Sequence, residues 1–109
     1  MKEDKFTVMY SFKVHEGKAE DFIIAWTEMT KLIYAFEGSY GSRLHKVNDG
    51  LFIGYAQWPN KATWKNSGNK LPDAAVEFRR KLRECCLEIK TEYELESVVD
   101  LLYDKTFKQ

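Results

Sequence analysis

Gly41-Ser42-Arg43-Leu44-His45-Lys46-Val47-Asn48-Asp49-Gly50-Leu51-Phe52-Ile53-Gly54-Tyr55-Ala56-Gln57-Trp58 reads as two strands folded about an Asn-Asp-Gly turn. Tyr40 to Val47 and Leu51 to Trp58 form the antiparallel pair, and the Asp-Gly step is a strong short-range hairpin signal. Gly50 is expected in the left-handed region, which glycine reaches without penalty. Pro59 stops the second strand because it has no N–H for the ladder. That strand is apolar in both registers, with Leu51, Ile53 and Tyr55 on one side and Phe52, Ala56 and Trp58 on the other. Both of its faces should therefore be covered.

Upstream, Phe6, Val8, Tyr10, Phe12 and Val14 alternate, and a period of two indicates a strand. After the His15-Glu16-Gly17-Lys18 turn, Phe22, Trp26, Met29, Ile33 and Phe36 recur at three and four, making one stripe of a long helix that Gly38 ends. Downstream, Asn60 caps a short helix running through Ser67, and the polar loop Gly68-Asn69-Lys70 follows. Pro72 suits a first helical position, and Ala75, Phe78, Leu82, Cys85 and Ile89 predict a second long helix over Asp73 to Ile89. The last strand is expected from about Glu92, with Tyr93, Leu95, Ser97, Val99 and Leu101 on one face and Glu92, Glu94 and Glu96 on the other.

The order strand-helix-strand-strand-helix-strand is the ferredoxin-like βαββαβ arrangement of an α+β domain, with both long helices on one face of a four-stranded antiparallel sheet. The opposite face is left bare. A second copy of the sheet is the economical cover, which predicts a homodimer with two sheets packed face to face. All 109 residues belong to a single domain, with its core at about 5–103.

Seventeen basic and seventeen acidic residues cancel, and no block of like charge stands out, so nucleic acid is a poor partner. Met1-Lys2-Glu3-Asp4-Lys5 is charged and runs into strand-like sequence without an apolar leader or membrane span, which places the chain in the cytoplasm. Cys85 and Cys86 are adjacent and lack metal or redox spacing, and are expected as one buried and one partly exposed free thiol.

The pattern GSRLH…DG…YAQWP, preceded by a long amphipathic helix and followed by a short polar one, resembles the antibiotic biosynthesis monooxygenase domain family, a dimeric ferredoxin-like α/β-barrel superfamily. The resemblance spans the whole element order, but its specific residues are confined to roughly Gly38 to Trp64. It implies oxidation of a phenolic or quinol-like aromatic substrate by O₂ with no flavin or metal cofactor, in a cleft between helices and sheet. A heme-degrading branch of the same superfamily carries a histidine on the second long helix and a tryptophan late in the short one. Here Asp73 to Ile89 contains no histidine, Ser67 and Gly68 stand near the tryptophan position, and Tyr10 replaces the branch's asparagine.

Such chemistry needs a proton acceptor, donors that stabilise a phenolate, and aromatic walls. Tyr10, in the helix-facing register, is expected to line the cleft; a core tyrosine with a satisfied hydroxyl is the competing reading. His45, with an ordinary pKa near ~6.5, suits a general base, and an interface histidine is its alternative. Arg43 shares the face of His45, so the two could bind an anionic oxygen together, or Arg43 could sit in a salt bridge. Trp58, Trp64 and Trp26 are the candidate walls, each with a packing role as the alternative. A cleft of this kind could equally capture a small hydrophobic ligand without turning it over.

Overall fold

The computed structural model describes residues 6–102, so the charged segment at residues 1–5 and the core limits drawn at Lys5 and Tyr103 lie outside the described residues. The chain runs β1 (Phe6–Val14), α1 (Ala19–Phe36), β2 (Gly41–Asn48), β3 (Leu51–Trp58), α2 (Lys61–Lys65), α3 (Ala74–Glu84) and β4 (Cys86–Glu96). The four strands form one antiparallel sheet in the order β2-β3-β1-β4. This is the ferredoxin-like α+β arrangement, in which the two hairpin strands are adjacent and β1 and β4 close the other half.

Register decides which side chains share a face. Phe6, Val8, Tyr10 and Phe12 on β1 lie opposite Trp58, Ala56, Gly54 and Phe52 on β3, and Leu44 on β2 lies opposite Gly54. These residues make the helix-side surface. Phe12, Phe22 and Phe52 form its densest part, with ring centroids 5.1 Å apart for both Phe12–Phe22 and Phe22–Phe52. A second buried cluster joins Phe6, Val8, Ala56 and Trp58. Of the expected α1 stripe, Phe22 and Met29 are buried, Trp26 and Ile33 are half-buried, and Phe36 at the helix end is exposed.

One glycine terminates its element as its chemistry requires, and one does not behave as expected. Gly38 follows the last turn of α1 with φ of 81°, the left-handed conformation that L side chains resist. Gly50 is not among the positive-φ residues. The hairpin closes instead through the Asn48 side chain, whose Oδ1 accepts the Gly50 N–H at 2.9 Å, an Asx-type turn that needs no left-handed residue.

The boundary between α3 and β4 is also earlier than the sequence pattern suggests. α3 ends at Glu84, Cys85 caps it, and Cys86 already pairs with Val14. Leu82, Cys85 and Ile89 fit a helical period, but residues 86–90 are claimed by the ladder to β1, which places Ile89 opposite Phe12 on the helix side. β4 ends at Glu96, so Ser97, Val99 and Leu101 do not extend it. Tyr93 and Leu95 lie opposite Met9 and Thr7 on the far face, as the alternation implies.

Among the described residues no helix covers that far face. Met9, Ile53, Tyr55, Tyr93 and Leu95 lie on it by register, and Tyr93 retains 62% of its surface. Among the described residues no helix is long and apolar enough to cross a membrane.

Candidate functional site

Between α1, α3 and the helix side of the sheet lies a partly open cavity of about 280 Å³. Its floor is Tyr10, Phe12, Gly54, Ala56 and Trp58, and Trp26, Met29, Thr30 and Ile33 from α1 form one wall. Arg79, Leu82 and Arg83 from α3 also line it. Gly54 makes the space: a Cβ there would stand 3.0 Å from Phe12 Cε2 and 3.6 Å from Trp26 Nε1. Its backbone is ordinary, so the missing side chain matters for volume rather than for φ.

Tyr10 is held from outside the cavity. Trp64 Nε1 donates to the Tyr10 hydroxyl at 2.8 Å, and the Trp64 ring lies against Phe6 with centroids 5.7 Å apart. Because the oxygen accepts from Trp64, the hydroxyl proton remains to be donated elsewhere. Burial pushes the Tyr10 pKa above its ordinary value, the Trp64 bond opposes this, and the Glu94 carboxylate adds to the rise. Tyr10 is therefore a neutral donor at physiological pH.

Trp64 owes its position to α2, which is only five residues long. A helix that short does not persist by propensity alone. Asn60 caps it, its Oδ1 accepting from the Thr63 N–H at 2.8 Å and from the Thr63 hydroxyl at 2.9 Å. Lys61 adds an ion pair to Glu94 of β4 at 3.1 Å.

Trp58 contributes a second polar group. The residue is 3% exposed and lines the cavity, and its Nε1 has no hydrogen-bond partner among the described residues. An orphaned buried indole N–H costs roughly 1–3 kcal/mol, so such groups usually have a reason to exist.

The expected cleft of Tyr10, Arg43, His45 and Trp58 is not assembled within one chain. Arg43 pairs with Tyr55 and His45 with Ile53, so both project from the far face of the sheet, opposite Tyr10. They do share a face with each other, as alternation requires. Arg43 instead borders a shallow depression with Tyr40, Tyr55 and Gln57. Trp58 and Trp26 line the cavity, while Trp64 supports Tyr10 from behind rather than walling the space.

Arg79, Arg83, Thr30 and Ser42 are cavity residues that the sequence reading passed over. The signal for the arginines was present, since residues four apart share a helix face and Leu82 marks that face as inward. Among the described residues no three His, Cys, Asp or Glu side chains gather as a metal site would require. Cys85 is buried and Cys86 half-buried, both free, and burial pushes the Cys86 thiol up to about 11.

The fold matches solved structures. SnoaB, a cofactor-independent oxygenase from Streptomyces nogalater, superimposes with a TM-score of 0.72 over 90% of this chain and 97% of that one, at 16% identity. The fold is that of the antibiotic biosynthesis monooxygenases. A proposed member from Caulobacter crescentus gives 0.72 at 17% identity, covering 89% of this chain and 92% of its own. A Bacteroides thetaiotaomicron protein described as a possible oxidoreductase gives 0.69 at 17% identity, covering 88% and 100%. No family model matches the sequence, and no curated protein does.

Proposed function

We propose that the protein is a cofactor-independent monooxygenase that acts on an aromatic, phenolic or quinol-like molecule held in the cavity beside Tyr10. The observation that carries this reading is a largely apolar space lined by Trp26, Trp58 and Tyr10, in which the Tyr10 hydroxyl accepts from Trp64 and so keeps its own proton to donate. Its volume of about 280 Å³ suits a compound of two or three fused rings.

Among the described residues no histidine, aspartate or glutamate lines the cavity. Deprotonation of the substrate is therefore promoted by stabilising the anion rather than by a side-chain base. A hydrogen bond from Tyr10 to the developing oxyanion lowers the substrate's pKa, and the proton leaves to water, which the partly open cavity admits. The anion passes one electron to O₂, the radical pair combines into a peroxide that takes a proton, and loss of water leaves a carbonyl. A ring CH₂ plus O₂ thus becomes C=O plus H₂O, and no external reductant is consumed.

Arg43 and His45 take no part in this cavity chemistry. They belong to the far face, where Met9, Ile53, Tyr55, Tyr93 and Leu95 are best covered by a second copy of the sheet, giving a homodimer.

The test is O₂ uptake with a panel of hydroquinones and anthrones, for the wild type, Tyr10→Phe and His45→Ala. Uptake that falls tenfold or more in Tyr10→Phe and is unchanged in His45→Ala supports the reading. The missing base also favours a second reading, capture of the same ligands without turnover; thermal stabilisation by a ligand with no O₂ uptake would establish that reading instead.

A further inference from the structure

Asp49-Gly50 is the single Asp-Gly step in the chain, and it forms the loop between Asn48 and Leu51, which pair across the hairpin. Asp-Gly is the peptide step most prone to rearrange, because glycine sets no side chain in the way of its own nitrogen. In that rearrangement the Gly50 nitrogen bonds to the Asp49 side-chain carbonyl carbon, the amide hydrogen and the carboxyl hydroxyl leave as water, and a five-membered succinimide forms. Water then opens the ring at either carbonyl. One opening restores Asp49; the other leaves the chain running through the former side chain, as isoaspartate of unchanged mass.

Both reacting groups are engaged in the folded turn. The Gly50 N–H that must be freed donates to Asn48 Oδ1 at 2.9 Å. The Gly50 carbonyl accepts from the Val14 N–H, also at 2.9 Å, so turning the glycine towards Asp49 strains its tie to β1 as well. The Asp49 carboxylate lies 2.8 Å from Lys46 Nζ, which favours the ionised form, the poorer electrophile. Its side chain is 91% exposed, so burial does not hinder the reaction; these contacts do.

We infer that Asp49 is the isomerisation site of this chain, and that the Asn48 side chain withholds the attacking nitrogen. The position gives this weight. Isoaspartate adds a backbone carbon to the loop, and β3 beyond it carries Phe52, Gly54, Ala56 and Trp58 on the helix side. A slip of one residue would exchange the faces of that strand.

The test incubates the full chain at neutral pH and body temperature, folded and unfolded in guanidinium chloride, and follows isoaspartate at Asp49 as a peptide of unchanged mass and altered retention. The folded chain is expected to convert at least about tenfold more slowly than the unfolded one. Asn48→Ala should raise the folded rate by roughly fivefold, the weight of one neutral hydrogen bond, and Asn48→Asp, which keeps an acceptor oxygen, should restore the slow rate. Lys46→Gln should raise it by about twofold. Where Asn48→Ala loosens the whole hairpin, amide hydrogen exchange in the wild type decides: a protected Gly50 N–H supports the shielding, and one that exchanges as fast as in the unfolded chain overturns it. Equal rates for folded and unfolded wild type, or an Asn48→Ala variant that stays folded and converts no faster, overturn it too. Conversion at another aspartate and none at Asp49 in the unfolded chain overturns the site itself.

Discussion

Removing a single oxygen from Tyr10 tests the polar end of the cavity most directly. In Tyr10→Phe the Trp64 indole loses the acceptor it reaches at 2.8 Å. A typical neutral hydrogen bond contributes about 1 kcal/mol net, and a stranded buried donor costs roughly 1–3 kcal/mol. Trp64 is half-buried, so water can partly replace the lost partner, and the lower end applies. About 1 kcal/mol corresponds to a Tm lower by roughly 4–8 °C in a domain of this size.

A double-mutant cycle with Trp64→Phe isolates the bond from the loss of ring contacts with Phe6. The expected coupling is about 1 kcal/mol, well above the ~0.3 kcal/mol scatter of independent sites. Chemical denaturation of the four proteins measures it. The same pair has a pH signature. Because burial raises the Tyr10 pKa in the folded chain, the unfolded state releases this proton first, and stability falls as pH climbs from about 10 through the folded value. Tyr10→Phe should lose that part of the alkaline decline. Additive single variants with an unaltered alkaline limb would refute the Trp64–Tyr10 bond and, with it, the orientation of the hydroxyl.

Gly54→Ala should lower stability by about 1 kcal/mol, because its Cβ meets a Phe12 ring pinned by Phe22, and the overpacking outweighs the usual gain from replacing glycine in a strand; a higher Tm in thermal denaturation would contradict this. With its thiol raised to about 11, Cys86 should react with iodoacetamide at pH 7.5 more than ~100-fold slower than free cysteine, as peptide mass spectrometry would show. Sedimentation equilibrium at micromolar concentration should give twice the chain mass, and Ile53→Lys on the far face should shift it towards monomer. A wild-type monomer would remove the sheet-to-sheet association.

Much of the architecture was legible because alternation and helical period do not conflict over residues 6–58. They do conflict near residue 85. Leu82, Cys85 and Ile89 satisfy a helix, while the stretch from Cys86 to Lys90 satisfies a strand, and only pairing with β1 decides between them. The site was harder to read for the same reason at a smaller scale. A one-residue change of register exchanges the faces of a strand, so His45 and Arg43 looked available to Tyr10 until pairing set Leu44 opposite Gly54. Leu44, apolar between two basic neighbours, was the clue to their outward direction. Arg79 and Arg83 were lost within a run of cations that reads as a solvated helix surface.

The cap on α2 has a consequence for how variation reaches the cavity. Asn60 is exposed and more than one contact removed from any ligand, yet its side chain fixes the first turn that carries Trp64, and Trp64 in turn fixes where the Tyr10 proton points. Drift in the enclosed residues is checked by packing, whereas drift at a surface asparagine is not. Exchanging Asn60 for alanine would let the helix fray and the hydroxyl swing, changing the selectivity of the cavity while every residue lining it stayed the same. On the proposed function, a change in ligand preference can therefore originate on the outside of the molecule.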